Sequence, residues 1–346
     1  MDDHPKNVLV VGPSWVGDMV MSQTLYIYLK QSRPGVAIDV LAPPWSEPLV
    51  ARMPQVRRSI ALPLNHGDLS IGARLRMGRK LRSGHYDQAI LLPNSFKSAL
   101  IPFFARISRR TGWRGELRYG LLNDMRQLDE KRYPKMIQRF VALALDGNDS
   151  LPEELPSPRL AIDKNKAEFS RDRFGLASHK PILALCPGAE FGSAKRWPPR
   201  YFAEIARRYL DFDWQVVLFG SAGDQAQTRE IKVLCGESSM CFDLAGRTDI
   251  AEVVDLLSLS AAVVSNDSGL MHIAAALQLP VLVVYGPTSP GFTPPLSRIA
   301  DTLVPEVDCA PCFQRQCPLG HHRCMLDTRP QSVADRLEAL LARSKQ

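Results

Sequence analysis

Apolar runs of strand length alternate with helix-length amphipathic stretches through both halves of the chain, the pattern of parallel sheets with helices on both faces. In the first half the runs Val8-Leu9-Val10-Val11, Ile38-Asp39-Val40-Leu41 and Ala89-Ile90-Leu91-Leu92 predict strands. Spacing of apolar positions predicts helices over about 18–32, 68–82, 96–105 and 134–145. In the second half, Ile182–Leu185, Val216–Phe219, Ala262–Val264 and Val281–Val284 predict strands, and about 199–210, 224–235, 249–259 and 268–277 predict helices. Between the halves, Gly147–Pro158 has no apolar period and holds Pro152, Pro156 and Pro158, so it reads as a linker joining two doubly wound α/β domains. The last segment places Val333, Leu337, Leu340 and Leu341 on one face of a closing amphipathic helix.

Length and composition agree with this reading. With 346 residues, 45% hydrophobic and 23% charged, the chain is long enough for two cores and too apolar to be disordered. No run approaches the ~18 uncharged apolar residues of a membrane span, and Met1-Asp2-Asp3-His4-Pro5-Lys6 lacks the basic-then-apolar order of a signal peptide, so the chain is expected in the cytosol.

Splitting the net charge of +7 changes the picture. Residues 1–150 hold 22 Lys and Arg against 13 Asp and Glu, and the remainder holds 21 against 23. The basicity concentrates in 74–118, where Arg74, Arg76, Arg79, Lys80, Arg82, Lys97, Arg106, Arg109, Arg110, Arg114 and Arg118 face only Asp87 and Glu116. Such a window points to an anionic partner, namely nucleic acid, a phosphorylated lipid or a membrane surface, or else to a solvated basic face.

Three polar turns follow predicted strands and open predicted helices. In the first, Gly12-Pro13-Ser14-Trp15-Val16-Gly17-Asp18, the glycines let a ligand approach the backbone at a helix start. The Gly-x4-Gly spacing resembles a phosphate-binding loop, yet Asp18 stands where a lysine should be, which argues against a nucleoside triphosphate. A carboxylate at a strand's carboxyl end faces the crevice of an open sheet and suits a general base; the plainer alternative is a helix cap. The second turn runs from Cys186 through Gly188, Gly192 and Ser193 to Lys195-Arg196-Trp197-Pro198. Its backbone N–H groups and two cations suit a diphosphate, against a surface-solvated basic pair as the alternative. The third is Asn266-Asp267-Ser268-Gly269-Leu270-Met271-His272, where a helix start again favours phosphate oxygens. Asp267 as a mere cap and His272 as a core histidine are the alternatives there. Gly220 and Thr248 lie at further strand ends and are candidates for holding adenine.

Seven cysteines cannot form a complete disulfide framework. Cys309, Cys312, Cys317 and Cys324 fall within 16 residues, spaced as zinc ligands only at the closest pair, so they read as structural-zinc candidates or as reduced, packed thiols.

Together, Gly17-Asp18, Lys195-Arg196-Trp197-Pro198 and Asp267-Ser268-Gly269-Leu270-Met271-His272 resemble the ADP-heptose:lipopolysaccharide heptosyltransferases of glycosyltransferase family 9, over about residues 7–340. The loop Cys186–Gly192 and Pro311–Cys317 are closer to the type II branch of that family than to type I. The resemblance implies the GT-B fold: two Rossmann-like domains, 1–160 for the acceptor and 161–330 for ADP-heptose, with a cleft between them and a helix, 331–346, returning to the first. It implies inverting transfer from ADP-L-glycero-β-D-manno-heptose to heptosyl-Kdo2-lipid A without a metal or other cofactor, at the cytoplasmic face of the inner membrane and with no nucleic-acid partner. Asp18 is the implied base in the loop of Gly12 and Gly17. The implied donor site comprises Lys195, Asp267 and His272 with Ser268, Gly269 and Leu270, beside Gly192, Ser193, Arg196, Gly220 and Thr248.

Two other readings stay open on the residues alone. One is a different GT-B enzyme, a core glycosyltransferase or a nucleotide-sugar epimerase, with another donor. The other is a basic, zinc-containing nucleic-acid-binding protein, against which stands the absence of any helix-turn-helix or RNP pattern.

Overall fold

A computed structural model of the chain describes residues 5–64, 67–146 and 149–344. Gly147 and Asn148 of the expected linker, and Met1–His4, lie outside the described residues. The chain divides into two compact units, Met1–Pro158 and Arg159–Gln346.

The first unit runs β1 (Asn7–Val11), α1 (Val16–Ser32), β2 (Ala37–Ala42), α2 (Glu47–Val50), β3 (Val56–Ala61), α3 (Ile71–Leu81), β4 (Gln88–Leu91), α4 (Phe96–Phe104), β5 (Arg109–Trp113), β6 (Asp124–Arg126) and α5 (Met136–Ala142). Its strands form one parallel sheet in the order β3-β2-β1-β4-β5-β6. The second unit runs α6 (Lys164–Arg173), β7 (Ile182–Cys186), α7 (Pro199–Asp211), β8 (Gln215–Leu218), α8 (Gln225–Leu234), β9 (Cys241–Asp243), α9 (Ile250–Leu257), β10 (Ala262–Asn266), α10 (Gly269–Ala276), β11 (Val281–Val284), β12 (Ala300–Leu303), α11 (Arg323–Leu326) and α12 (Pro330–Ser344). Its sheet, β12-β11-β10-β7-β8-β9, repeats the order of the first, and both are doubly wound Rossmann-like sheets with a reversal of strand order beside their first strand.

Inner strands are buried on both faces: β7 is wholly buried, as is β1 beyond Asn7, which is why they read as continuous apolar runs. Every edge strand escaped the sequence reading. β3 (VRRSIA) and β6 (DMR) border the first sheet, and β9 (CFD) and β12 (ADTL) the second. An edge leaves side chains in water and carries charge that blunts further pairing, so its apolar pattern fades. The inner strand β5 was missed because it opens on Arg109-Arg110. Helix α6 was missed because it buries only Ala167 and Ser170.

The closing helix forms as expected, as α12, and its apolar stripe of Val333, Ala334, Leu337 and Leu340 is buried in the core of the second unit with Trp197, Phe202 and Leu282. The resemblance implies that this helix returns to the first domain; the packing described for it is against α7, β11 and β12 of its own unit, whose hydrophobic face it completes.

Candidate functional site

In a doubly wound sheet the loops leaving the carboxyl ends of the two strands that flank the order reversal diverge, one to each face, and leave a crevice between them. In the second unit those strands are β7 and β10, paired in parallel with Leu185 opposite Val264 and Cys186 opposite Ser265. The loops that follow them carry Lys195 and Asp267. The Lys195 Nζ and Asp267 Oδ2 atoms meet at 2.6 Å, with side-chain exposures of 13% and 5%. Thr288, in the turn after β11, donates its hydroxyl to the same Asp267 oxygen at 2.6 Å.

The surrounding residues fix this pair. Trp197 is fully buried, stacks edge-on against Phe202 with centroids 4.9 Å apart, and donates its ring N–H to the Thr328 carbonyl at 2.8 Å. Its backbone N–H donates to Asn266 Oδ1 at 3.2 Å, and Asn266 Nδ2 donates to the Pro187 carbonyl at 2.6 Å, so the two loops are stitched together beside Lys195 and Asp267. Pro198 and Pro199 then start α7, where a missing N–H costs nothing. Gly192 is required by packing: a Cβ there would collide with the carbonyl of Arg315. Ser193 follows it in an exposed turn leading to Lys195.

Ser268, not Asp267, is the cap position of α10, and no side-chain cap bond is made there; its hydroxyl lies 3.2 Å from that of Ser265. The carboxylate of Asp267 is thus committed to Lys195 and Thr288, while Gly269 and the half-buried Leu270 form the helix's first turn. The N–H groups of that turn and the positive end of the helix are oriented as an anion would need them.

His272, one turn into α10, is buried, which pushes its imidazole down to about 4; the charge of Asp267 opposes that shift and the charge of Lys195 adds to it. His272 is therefore neutral at pH 7 and adds no cation to the site. The unfolded chain binds this proton near pH 6.5 and the folded chain only near 4. The contribution is present above pH 6.5 and is lost as pH falls toward 4, at about 1.4 kcal/mol per pH unit. Replacing His272 by Gln is expected to shrink the loss of thermal stability between pH 6.5 and 4; an equal loss in both proteins refutes this.

Arg196 is 39% exposed and faces Asp224 at 3.6 Å, so its charge is partly met within the protein. Asp224 accepts from the backbone N–H and the hydroxyl of Ser221 at 2.9 and 2.8 Å and packs against Gly188 and Gly220, where added Cβ atoms would crowd it. Gly220 accepts from the N–H of Gly246 at 2.9 Å, and the Thr248 hydroxyl reaches the Leu244 carbonyl at 3.5 Å. These residues follow β8 and β9 on the same edge of the sheet as Lys195 and Asp267. Sequence reasoning missed Asn266, Thr288 and Asp224 as parts of the candidate site. Thr288 had a readable signal, a Gly286-Pro287 turn directly after an apolar strand.

In the first unit, Asp18 is the third residue of α1, half-buried, in the helix's positive first turn; the cap position is Trp15, without a side-chain cap bond. The plainer reading of Asp18 as the cap therefore fails. Gly17 precedes it within the helix. Gly12 is buried, donates to the Leu41 carbonyl at 2.9 Å, and has Met19, Ala42 and Val40 within 3.3 Å of where a Cβ would stand, so its smallness serves packing of β1 on β2 and α1.

The basic window is less uniform than its sequence suggests. Arg118 is fully buried, donating to the carbonyls of Pro93 and Trp113, and Arg74 is buried among the carbonyls of Asp68, Leu69 and Lys97. Arg109 pairs with Asp124 and Asp146, and Arg110 with the carbonyls of Ile107 and Leu121. These four hold the unit together. Arg76, Arg79, Lys80, Arg82, Arg106 and Arg114 are exposed, so an anionic partner meets roughly half the charge that the sequence advertises.

Among the described residues, no group of three or more His, Cys, Asp or Glu side chains stands where it could hold a metal ion, which removes the geometric support for zinc at Cys309, Cys312, Cys317 and Cys324. All four are free thiols, Cys324 buried and the others half-buried; Cys317 is held below the usual thiol range by backbone N–H groups of His322, Leu319, Gly320 and His321. Among the described residues, no helix is long and apolar enough to cross a membrane.

Comparisons with known proteins bear on the family and the fold. Residues 74–323 match glycosyltransferase family 9 (heptosyltransferase). The chain is 47% identical over 341 residues to lipopolysaccharide heptosyltransferase 2 of Escherichia coli K12, covering 96% of this chain and 98% of that protein. It is 48% identical over 342 residues to the Salmonella typhimurium LT2 lipopolysaccharide heptosyltransferase 2, covering 97% and 98%. The solved structure of the E. coli ADP-heptose LPS heptosyltransferase II superposes with a TM-score of 0.89 at 45% identity, covering 98% of this chain and all of that one. These matches, with the two parallel six-stranded sheets of the present chain, establish that it belongs to glycosyltransferase family 9, the heptosyltransferases.

Proposed function

We propose that the protein transfers L-glycero-D-manno-heptose from ADP-L-glycero-β-D-manno-heptose to the first heptose of the lipopolysaccharide inner core, heptosyl-Kdo2-lipid A, with inversion and with Asp18 as general base. The observation that carries the donor half is the buried Lys195–Asp267 pair beside the first turn of α10. As the anomeric C–O bond breaks, charge builds on the departing diphosphate, where Lys195, the loop N–H groups and the helix end stabilise it. The reading assigns that neutralisation to protein groups and to no metal or cofactor. An acceptor hydroxyl titrates far above pH 7, so its proton needs a positioned base as the new bond forms, and the half-buried Asp18 carboxylate supplies one. The E. coli and Salmonella typhimurium relatives are lipopolysaccharide heptosyltransferases, and the solved E. coli structure is an ADP-heptose LPS heptosyltransferase, which supports an ADP-heptose donor and a lipopolysaccharide acceptor.

In the same reading the enzyme works at the cytoplasmic face of the inner membrane as a peripheral protein. The exposed Arg76, Arg79, Lys80, Arg106 and Arg114 of the first unit would meet the phosphates and carboxylates of the acceptor and of anionic lipid. The experiment is incubation with ADP-heptose and monoheptosylated Kdo2-lipid A in the presence of EDTA, with UDP-sugars in parallel and the product read by mass. One added heptose from the ADP-sugar alone is expected. A folded protein that makes no product, or prefers a UDP-sugar, ends the assignment.

A further inference from the structure

The cysteine-bearing segment between β12 and α11 does more than close the chain. Its middle lies directly on the loop that delivers Lys195. The Arg315 carbonyl accepts the N–H of Ala194 at 3.1 Å, and the missing side chain of Gly192 makes room for the Arg315 backbone. Two residues earlier, Phe313 donates its N–H to the Pro287 carbonyl at 2.7 Å, tying the segment to the turn that also holds Thr288, the partner of Asp267. The segment is thereby pinned on both sides of the Lys195–Asp267 pair.

The side chain of Arg315 shares a surface with Lys195. The guanidinium carbon lies 5.3 Å from the centroid of the Phe191 ring, and Lys195 Nζ lies 4.8 Å from the same centroid, so the two cations are within about 10 Å of each other. With N–H···O contacts of about 2.8 Å at each end, one diphosphate bridges such a gap. The local charges favour this. Lys195 is neutralised by Asp267, and Arg196 leans on Asp224. Glu190, on the same loop, is exposed. Among the described residues, no carboxylate is within ion-pairing distance of Arg315, which is itself exposed. The dianionic diphosphate of the donor, which gains a further charge as it departs, therefore finds its uncompensated positive charge at Arg315, presented as a planar fork that matches phosphate oxygens.

We propose that Arg315 is a donor-binding residue, clamping the diphosphate of the nucleotide sugar together with Lys195 beside Phe191. The inference rests on the donor-site reading above and adds to it a residue outside the three strand-end turns. If Arg315 served only as a backbone wedge against Gly192 and Ala194, its charge would be dispensable.

The test uses the full chain. ADP and adenosine are each titrated calorimetrically into wild type, Arg315→Met, which keeps the stem over Phe191 without charge, and Arg315→Lys, which keeps charge without the fork. Arg315→Met is expected to weaken ADP binding ~10- to 100-fold, the scale of a charge-assisted contact, with adenosine binding and Tm unchanged and Arg315→Lys intermediate. ADP affinity unchanged in Arg315→Met overturns the proposal, as does a parallel loss of adenosine binding, which marks a structural role. Should Arg315→Met fail to fold, Arg315→Gln carries the same comparison. A wild-type protein that binds no ADP sinks the donor-site reading itself; one that binds ADP, loses it in Lys195→Ala and keeps it in Arg315→Met sinks only the role of Arg315.

Discussion

Asp18→Ala is expected to lower kcat by about two to four decades while leaving the KM for ADP-heptose and the affinity for ADP near their wild-type values. The magnitude is that of losing a positioned general base, whose contribution is made only as the acceptor proton leaves. The separation of kcat from donor binding follows from where the groups lie in the chain: Asp18 sits in the first turn of α1, whereas the proposed donor contacts all follow strands of the second unit. Asp18→Asn keeps size and polarity, so it should fall with Asp18→Ala if proton transfer is the function, and recover if the side chain only supports the helix start. Turnover at saturating donor and acceptor, beside an ADP titration of each variant, decides the matter. Wild-type turnover in Asp18→Ala removes Asp18 from the mechanism.

Lys195→Ala carries the second large effect, and it acts on stability as well as on function. The substitution strands Asp267 in a buried position with the Thr288 hydroxyl near it and no cation. Breaking one side of a buried pair costs about 3–5 kcal/mol, far more than the pair's net worth. Donor binding and kcat are expected to fall together, because in the proposed mechanism the lysine meets the diphosphate both when it binds and when it departs. The combination Lys195→Met with Asp267→Asn should restore much of the lost stability, since no buried charge is then left alone, and should not restore donor binding. Thermal denaturation and ADP titration of the single and double variants separate the two contributions. Lys195→Ala with unchanged KM and kcat removes the lysine from the donor site.

Much of the architecture was readable because parallel strands with both faces covered must be apolar throughout. The runs at Val8, Ile38 and Ala89 in the first unit and at Ile182, Val216, Ala262 and Val281 in the second became β1, β2, β4, β7, β8, β10 and β11. The four edge strands were invisible for the opposite reason: water on one side leaves no constraint to write a pattern, as in Val56-Arg57-Arg58-Ser59. Asp39 shows how far context overrides local sense. It lies in the apolar-looking β2, fully buried; burial alone would raise its pKa, yet hydrogen bonds from Arg57, Tyr86 and Arg58 hold it below the usual carboxylate range.

By itself the sequence determined the order of the seven buried apolar strands, the three polar turns that open helices after strands, and the residues on them proposed to carry chemistry: Asp18, Lys195 and Asp267. Those are local facts, set by periodicity over a few residues and by the requirement that a strand end in a turn before a helix begins. Only the tertiary structure decided which of those residues meet. Lys195 and Asp267 are 72 positions apart and touch because β7 and β10 pair in parallel at the switch point. Arg315 reaches Phe191 because Gly192 leaves room for its backbone. The buried Arg74 and Arg118 give their charge to backbone carbonyls that only the folded chain gathers around them. Pairing and burial are properties of the whole folded chain, and one arginine in a sequence reads like the next.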